Sequence, residues 1–479
     1  MWGLAAVVAA FVVPAAHAQT TYVWNQTASA PWTTATNWTP TRTTPATNDV
    51  LVFNNGATTI ATNVPTQTIG QLQVSGSTSA TLQAAAAATL TLAGGAGVDL
   101  SVAAGSTLQL SGANAVTLAI ATGATGDIAG TTTLAGGAHR LLSLDAGSLV
   151  YESGAKCVAN TGFTGNAFGD GTGSGGLSSV VFQAGSLYQH VAGANPFGAA
   201  QPNSAVTFQA GSRYRLDAAL TPSMAGRTYA DFEYNNAGTQ SVTGAAAVTM
   251  DSLVVTQGTF NLNLTGGASV HGDVHVKSGA TLGMSPASAA TVSLNGSAAQ
   301  AIDAQGTLTT SANATLGVNN AAGVSLVTNL SLGGGLSFTS GLLNTGARTL
   351  TLAAASAVSG AAQGTGWVNG TLTKNYATGA FSGSLDVGDA STYAPIGVSG
   401  TGAPPPTAMR SAAGICGMAS ALAVKSLTTS KRSSAKWRLR PLTVNDQGWL
   451  VSVMASPVTG EATASAASRG AASCVSFGR

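Results

Sequence analysis

The chain has 479 residues, of which 61 are glycine, and only 7% of its residues are charged. An ordinary soluble domain has about 25% charged residues, so this composition excludes coiled coils and long exposed helices, which need charged faces. The hydrophobic content of 44% and the net charge of +2 exclude ordinary intrinsic disorder, and the irregular glycine spacing excludes collagen. Nucleic-acid binding is not expected, because the chain has too little charge for a basic face that follows phosphates.

The chain begins with an apolar run over residues 4–16, which has the length of a signal-peptide core. Ala16, His17 and Ala18 follow it as an A-x-A cleavage site, so residues 1–18 are predicted to be a signal peptide. The rest of the chain contains no apolar run long enough to span a bilayer. We therefore expect a protein that is secreted or held on the outer cell surface, with no transmembrane segment in the mature chain.

Residues 19–65 contain three tryptophans, Trp24, Trp32 and Trp38, among prolines that exclude a helix. We interpret this segment as an N-terminal cap whose aromatic rings cover the open end of a stack of strands, because such ends otherwise template aggregation. The alternative is a glycan-binding module in which the same three rings are exposed and stack on sugars.

Residues 66–345 are repetitive. Apolar and polar residues alternate in short runs such as 88–92 and 260–264, which predicts strands with one buried face. A second motif, small-Gly-small-x-apolar, recurs with its glycines at positions 105, 147, 185, 211 and 279, at intervals that are mostly close to multiples of about 20 residues. Glycine permits the positive φ that a sharp corner needs. The pattern predicts an all-β, right-handed parallel β-solenoid of up to roughly 18 coils. An antiparallel sandwich with glycine-rich hairpins is the alternative.

The last part of the chain divides at about residue 402. Residues 346–402 are predicted to form a C-terminal β cap or a small β module, with Trp367 and Tyr393 among its aromatic residues. Residues 403–479 carry nine Lys or Arg but only two Asp or Glu. Residues 1–402 carry nine Lys or Arg and fourteen Asp or Glu. This poorly structured basic tail has two interpretations: an anchor for an anionic surface, or the out-of-frame product of a frameshift.

The sequence predicts no catalytic residue and no cofactor, because its acids are scattered along the chain. Asp231 and Glu233 would share one face of a strand, as would His271, Asp273 and His275. Two imidazoles and a carboxylate on one face are a candidate metal site. The alternative is that these three polar side chains simply face water, since residues two apart on a strand are separated by nearly 7 Å.

Several segments also carry a family resemblance, at residues 37–40, 180–188, 195–214, 225–232, 366–370, 387–389 and 393–395. Together they resemble large secreted bacterial β-repeat proteins, which often end in a type IX secretion sorting domain. The resemblance covers about residues 20–400 and implies an exported, repeat-rich surface or extracellular protein without established catalytic residues. The sequence departs from the family after about residue 402, where no sorting domain is recognisable.

These observations favour a non-enzymatic, secreted or cell-surface β-solenoid with a structural or adhesive role and with glycans or other surface components as partners. The rival is a carbohydrate-active β-helix, either a polysaccharide lyase or a glycoside hydrolase, whose site would need acids and a basic residue gathered on one sheet face. The third hypothesis is the glycan-binding module built on the tryptophans.

Overall fold

A computed structural model describes residues 19–169, 175–377 and 379–402, together with three short strands at Met409–Ser411, Ala462–Thr463 and Ser476–Phe477. The described chain is an all-β parallel solenoid of about 13 turns. The predicted signal peptide, and the predicted tail apart from those short strands, lie outside the described residues. No helix in the described part of the chain is long and apolar enough to cross a membrane.

The coils contribute strands to four sheets: sheets 1 and 3 belong to the first part of the stack, sheet 4 to the second part, and sheet 2 to both. Sheet 1 contains Thr21–Trp24, Trp38–Thr39, Val50–Phe53, Gln71–Val74, Leu100–Val102, Gly126–Ile128, Leu149–Tyr151, Val180–Phe182 and Val206–Phe208. Sheet 3 contains Gln67–Ile69, Ala88–Leu92, Val116–Ile120 and Arg140–Ser143. Sheet 4 contains Val248–Met250, Ala268–Val270, Ala290–Leu294, Ala314–Asn319, Gly335–Ser340 and Val358–Ser359.

Sheet 2 runs the whole length of the stack. Its strands are Ser29–Pro31, Thr58–Thr62, Ser79–Leu82, Thr107–Gly112, Thr131–Gly136, Lys156–Ala159, Leu187–His190, Arg213–Leu216, Asp231–Gly244, Ser252–Leu264, Val274–Val276, Thr281–Met284, Gln300–Ala304, Thr307–Thr310, Val324–Leu326, Leu330–Leu332, Leu343–Leu352, Val368–Lys374 and Val387–Gly388. From residue 231 onward two columns of strands lie side by side in this sheet, because the long strand Ser252–Leu264 pairs with both Val274–Val276 and Thr281–Met284.

The strand pairings confirm parallel coils over the sandwich alternative. Among the described strands, the antiparallel pairs lie only near the two ends of the chain, such as Trp24 with Trp38 and the hairpin of Gly379–Leu385 with Ile396–Gly402. Coil length varies: Phe232 pairs with Tyr214, 18 positions earlier, whereas Val180 pairs with Leu149, 31 positions earlier. The stack of about 13 turns lies within the predicted limit of roughly 18 coils and falls short of it because loops at the corners lengthen many coils beyond 20 residues.

The parallel ladder also extends beyond the predicted repeat region of residues 66–345. At the N-terminal side, Thr21–Trp24 pairs in parallel with Val50–Phe53. At the other end, Leu343–Leu352 pairs with Val368–Lys374, and Val368 pairs with Val387. The segment at 346–402 is thus in part a continuation of the solenoid, and the hairpin near residues 379–402 is its antiparallel element.

Glycines occupy the corners, as the repeated motif predicts. Gly105, Gly147, Gly185, Gly211 and Gly279 all have a positive φ between 70° and 83°. At Gly147 and Gly279 a Cβ atom would meet nothing within 4 Å, so the backbone conformation and not the available space selects glycine there. The five corners confirm that the motif marks turns between strands.

The core contains two ladders of aromatic rings in the middle of the stack. On sheet 1 the ring of Phe182 stacks on Tyr151 at 4.4 Å and on Phe208 at 5.1 Å between centroids. On sheet 2 the ring of Tyr214 stacks on Tyr188 at 5.7 Å and on Phe232 at 5.5 Å. All six rings are buried, and stacked pairs of this kind add about 0.5–1.5 kcal/mol beyond the burial of their area. Ring stacking therefore holds the central coils together.

The substitution Phe182→Ala is expected to lower the free energy of unfolding by about 3–5 kcal/mol, because it opens a cavity and removes two stacked pairs. The matched control is Val181→Ala, which changes the outward-facing neighbour on the same strand and should cost less than about 1 kcal/mol. Urea denaturation followed by tyrosine fluorescence measures both values. Equal losses in the two variants would contradict the ladder as a source of stability.

His190 is buried beside the second aromatic ladder. Its Nδ1 lies 2.6 Å from the hydroxyl oxygen of Tyr214, and its Nε2 lies 3.2 Å from the carbonyl oxygen of Gly193. Burial lowers the pKa of His190 from 6.5 to about 4, because the imidazolium form would lose its hydration inside the core. The folded protein therefore keeps this imidazole neutral at pH values at which the unfolded chain protonates it.

Acid should destabilise the fold through His190. As the pH falls from 6.5 to 4, the unfolded chain binds a proton that the folded chain does not, so stability decreases by about 3 kcal/mol over that window. In the variant His190→Gln this part of the pH dependence should disappear, whereas the control His271→Gln, at an exposed position, should keep it. Urea midpoints between pH 4 and 7 measure the slopes, and identical slopes in native protein and His190→Gln would refute the assignment.

Candidate functional site

Charged side chains concentrate on the outward face of sheet 2. We call this group the polar strip, and it consists of Arg213, Arg215, Asp217, Asp231, Glu233, Asp273, His275 and Asp303. These residues face outward because they alternate with, or lie next to, the inward residues Tyr214, Phe232, Val274 and Ile302, which are fully buried or nearly so. In a chain with so few charges, this face is the best candidate for a functional surface.

Asp217 is the centre of the first part of the strip. Its Oδ2 accepts hydrogen bonds from Gln189 Nε2 at 2.6 Å and from Arg215 Nη2 at 2.9 Å. Its Oδ1 accepts one from Asn235 Nδ2 at 2.7 Å. The donors Gln189, Arg215 and Asn235 belong to three consecutive coils. One carboxylate therefore ties three coils together on their outer side.

Asp231 and Glu233 lie on the same face of one strand, as their spacing predicts. Glu233 accepts hydrogen bonds from Thr256 Oγ1 at 2.8 Å and from Arg213 Nη1 at 3.3 Å, and Asp231 accepts one from Ser252 Oγ at 2.6 Å. Each donor lies on a neighbouring strand of sheet 2. These contacts are cross-links between coils, although they also gather two acids and an arginine on one sheet face.

The segment from His271 to His275 does not form one continuous strand. Ala268–Val270 ends before His271, and Val274–Val276 begins only after a turn, so the two histidines belong to different sides of the solenoid. His271 Nδ1 lies 3.6 Å from Asp251 Oδ1. Within the described residues, no group of three or more His, Cys, Asp and Glu side chains is placed to hold one metal ion. The geometry therefore gives the proposed set of His271, Asp273 and His275 no support.

His275 instead lies between two carboxylates. Its Nε2 is 3.6 Å from Asp273 Oδ2, and its Nδ1 is 3.8 Å from Asp303 Oδ2. Asp303 is its register partner on the next strand, 28 positions later in the sequence. The sequence does not predict this pair, because it gives no sign of how many residues separate the two strands in this coil.

The three tryptophans of the N-terminal segment are buried. Trp24, Trp32 and Trp38 have exposed fractions of only 0–1%, and the ring of Trp38 packs edge-on against the other two at 4.9 and 5.0 Å. Trp24 Nε1 donates to Thr59 Oγ1, and Trp38 Nε1 donates to the carbonyl oxygen of Trp32. All three rings lie within 6.2 Å of the Phe53 ring. They fill the first coil. The glycan-binding hypothesis requires exposed ring faces, and these three rings present none.

The variant Asp217→Ala should lower the free energy of unfolding by about 2 kcal/mol, because three donors on three coils lose their common acceptor. The control Arg213→Ala removes a side chain that is 51% exposed and should cost less than about 1 kcal/mol. Urea denaturation in low and high salt measures both. A smaller loss for Asp217→Ala than for Arg213→Ala would contradict the cross-linking role.

Comparison with known proteins identifies no relative of this chain. No family model, no curated protein and no solved structure matches the chain. The resemblance to secreted bacterial β-repeat proteins stays a prediction.

Proposed function

We propose that the protein is an exported, non-enzymatic β-solenoid that serves as a rigid structural and adhesive element at the outer cell surface. The observation that carries this proposal is the stack of about 13 turns over one continuous core. At a strand spacing of about 4.8 Å, such a stack is roughly 60 Å long. A continuous apolar core of that length suits the protein to act as a rigid spacer, which holds a binding surface away from the point of attachment.

The outer face of the stack supports contact with sugars. Over residues 241–243 and 259–264 of the sheet 2 strands Asp231–Gly244 and Ser252–Leu264, hydroxyl and amide side chains alternate with buried residues. Asn261 Nδ2 donates to Ser241 Oγ at 2.9 Å, and both side chains remain accessible on the surface. Ordered amides and hydroxyls both donate and accept hydrogen bonds, which is the chemistry that recognises sugar hydroxyls. A broad row of such groups fits weak, repeated contacts with a glycan.

Export rests on the predicted signal peptide at residues 1–18 and on the family resemblance. The cysteine content agrees with this, since Cys157, the single cysteine of residues 1–402, is buried and unpaired. Burial raises the pKa of its thiol to about 11, so it stays protonated and unreactive outside the cell.

Export can be tested on the full chain in its host. The mature protein should begin at Gln19 and should be removed from intact cells by an added protease. The variant Ala18→Arg blocks the small-residue position of the cleavage site and should keep the precursor intact. Mass spectrometry of the N-terminus reads both results. Mature protein that retains residues 1–18 and resists the protease on intact cells would disprove export.

Adhesion can be tested with beads that carry the protein and with polysaccharide purified from the host surface. The double variant Ser241→Ala, Asn261→Ala should reduce retention at least threefold, because it removes the hydrogen-bonding pair from the outer face. The matched control is Thr315→Ala, Ser337→Ala on sheet 4, which should bind like the native protein. Equal retention of all three proteins would argue against sheet 2 as the adhesive face.

The carbohydrate-active alternative retains one supporting observation. Asp231 and Glu233 lie on one sheet face together with Arg213, which is the arrangement that this hypothesis requires. Incubation with polygalacturonate and detection of unsaturated products would test it, with Glu233→Gln as the variant that should lose activity. Absence of product from the native protein would eliminate this lyase hypothesis.

A further inference from the structure

A cavity of about 300 Å³ opens beside sheet 1, next to the coils that contain Val180–Phe182 and Val206–Phe208. Its lining includes Leu177, Phe197 and Arg227, with Asn203 also contributing to the wall. Leu177 is 54% exposed, which is unusual for a large apolar side chain in this protein. The volume lies at the lower end of the range for small-molecule sites, so any ligand has to be small.

Arg227 is the distinctive residue of this cavity, because it is only 4% exposed. Its Nε donates to Ser223 Oγ at 3.2 Å, its Nη2 donates to the carbonyl oxygen of Ala199 at 2.8 Å, and its Nη1 donates to the carbonyl oxygen of Asn203. The guanidinium carbon also lies 4.5 Å from the centroid of the Phe197 ring. Every one of these partners is electrically neutral.

The described residues supply no carboxylate within ion-pair distance of Arg227, whereas Arg42, Arg213 and Arg215 each have one. A buried charge is costly unless an opposite charge accompanies it. Burial accordingly lowers the pKa of the Arg227 guanidinium from its usual value. The described residues accept hydrogen bonds from three of its five N–H groups, which leaves two for an acceptor outside that set.

We propose that this cavity binds a small oxyanion, in the form of a carboxylate or sulfate group carried by an acidic sugar, and that Arg227 supplies the opposing charge. The planar guanidinium fits carboxylate and sulfate oxygens better than any other side chain does. The exposed amide of Asn203 adds a hydrogen-bonding group at the wall, and Leu177 adds an apolar surface for a sugar ring. This site lies on sheet 1, apart from the polar strip, and goes beyond the proposed function without resting on it.

The decisive variant is Asn203→Asp, because it adds a negative charge at the wall of the cavity, on an exposed residue whose backbone carbonyl accepts from Arg227. In calorimetric titration at constant ionic strength, native protein should bind sulfate and glucuronate, with no heat of binding from glucose. Asn203→Asp should raise the dissociation constants of sulfate and of glucuronate at least tenfold. The matched control Asn319→Asp, at an exposed position on sheet 4, should respond like the native protein.

Calorimetric titration with the same probes separates the sources of the anion. Tighter binding of glucuronate than of sulfate supports a sugar acid, and equal binding supports recognition of the oxyanion group alone. Failure of both probes to bind native protein would overturn the proposal. A further variant changes Asp170, which lies outside the described residues. If Asp170→Asn binds sulfate but native protein does not, Asp170 is the internal partner of Arg227, and the proposal of a bound oxyanion is overturned.

Discussion

An inward-facing side chain of a solenoid coil stays dry only if the coils above and below place apolar side chains at the same position. No single coil encloses a core, so folding and stability depend on the register between neighbouring coils. In the central coils this register brings Tyr188, Tyr214 and Phe232 into one stack. Stacked rings keep their mutual contacts only at matching positions, so the ladder both stabilises the coils and fixes their alignment.

The same register organises the outer surface. Outward residues at matching positions become neighbours at the strand spacing, which lets Asp217 accept hydrogen bonds from donors on consecutive coils. A low total charge can therefore still produce a locally charged face. The strip on sheet 2 and the cavity around Arg227 differ in their charges: the strip contains paired charges, whereas the described partners of Arg227 are all neutral.

Much of the fold follows from the sequence, because the period-two alternation and the corner glycines are local signals. The strand at Ala88–Leu92 and the positive φ of Gly147 were both predictable in this way. The partners of a given residue were not, because coil length depends on corner loops that leave no periodic trace. To predict the contact between His275 and Asp303, the number of residues in the coil between them has to be known. The buried tryptophans show a related limit, since their sequence does not say whether aromatic rings pack on each other or face a ligand.

The direction of the hydrogen bonds between coils has a mechanical consequence. These bonds run along the axis of the stack, and each coil is joined to the next by the ladders of its sheets. A force that separates the two ends of the chain would therefore load one ladder at a time and peel coils off singly. A coil of 25 residues can extend to roughly 85 Å once it is released. Under tension the stack would lengthen in steps and would dissipate work at each step, so a sudden load would be spread over many small extensions.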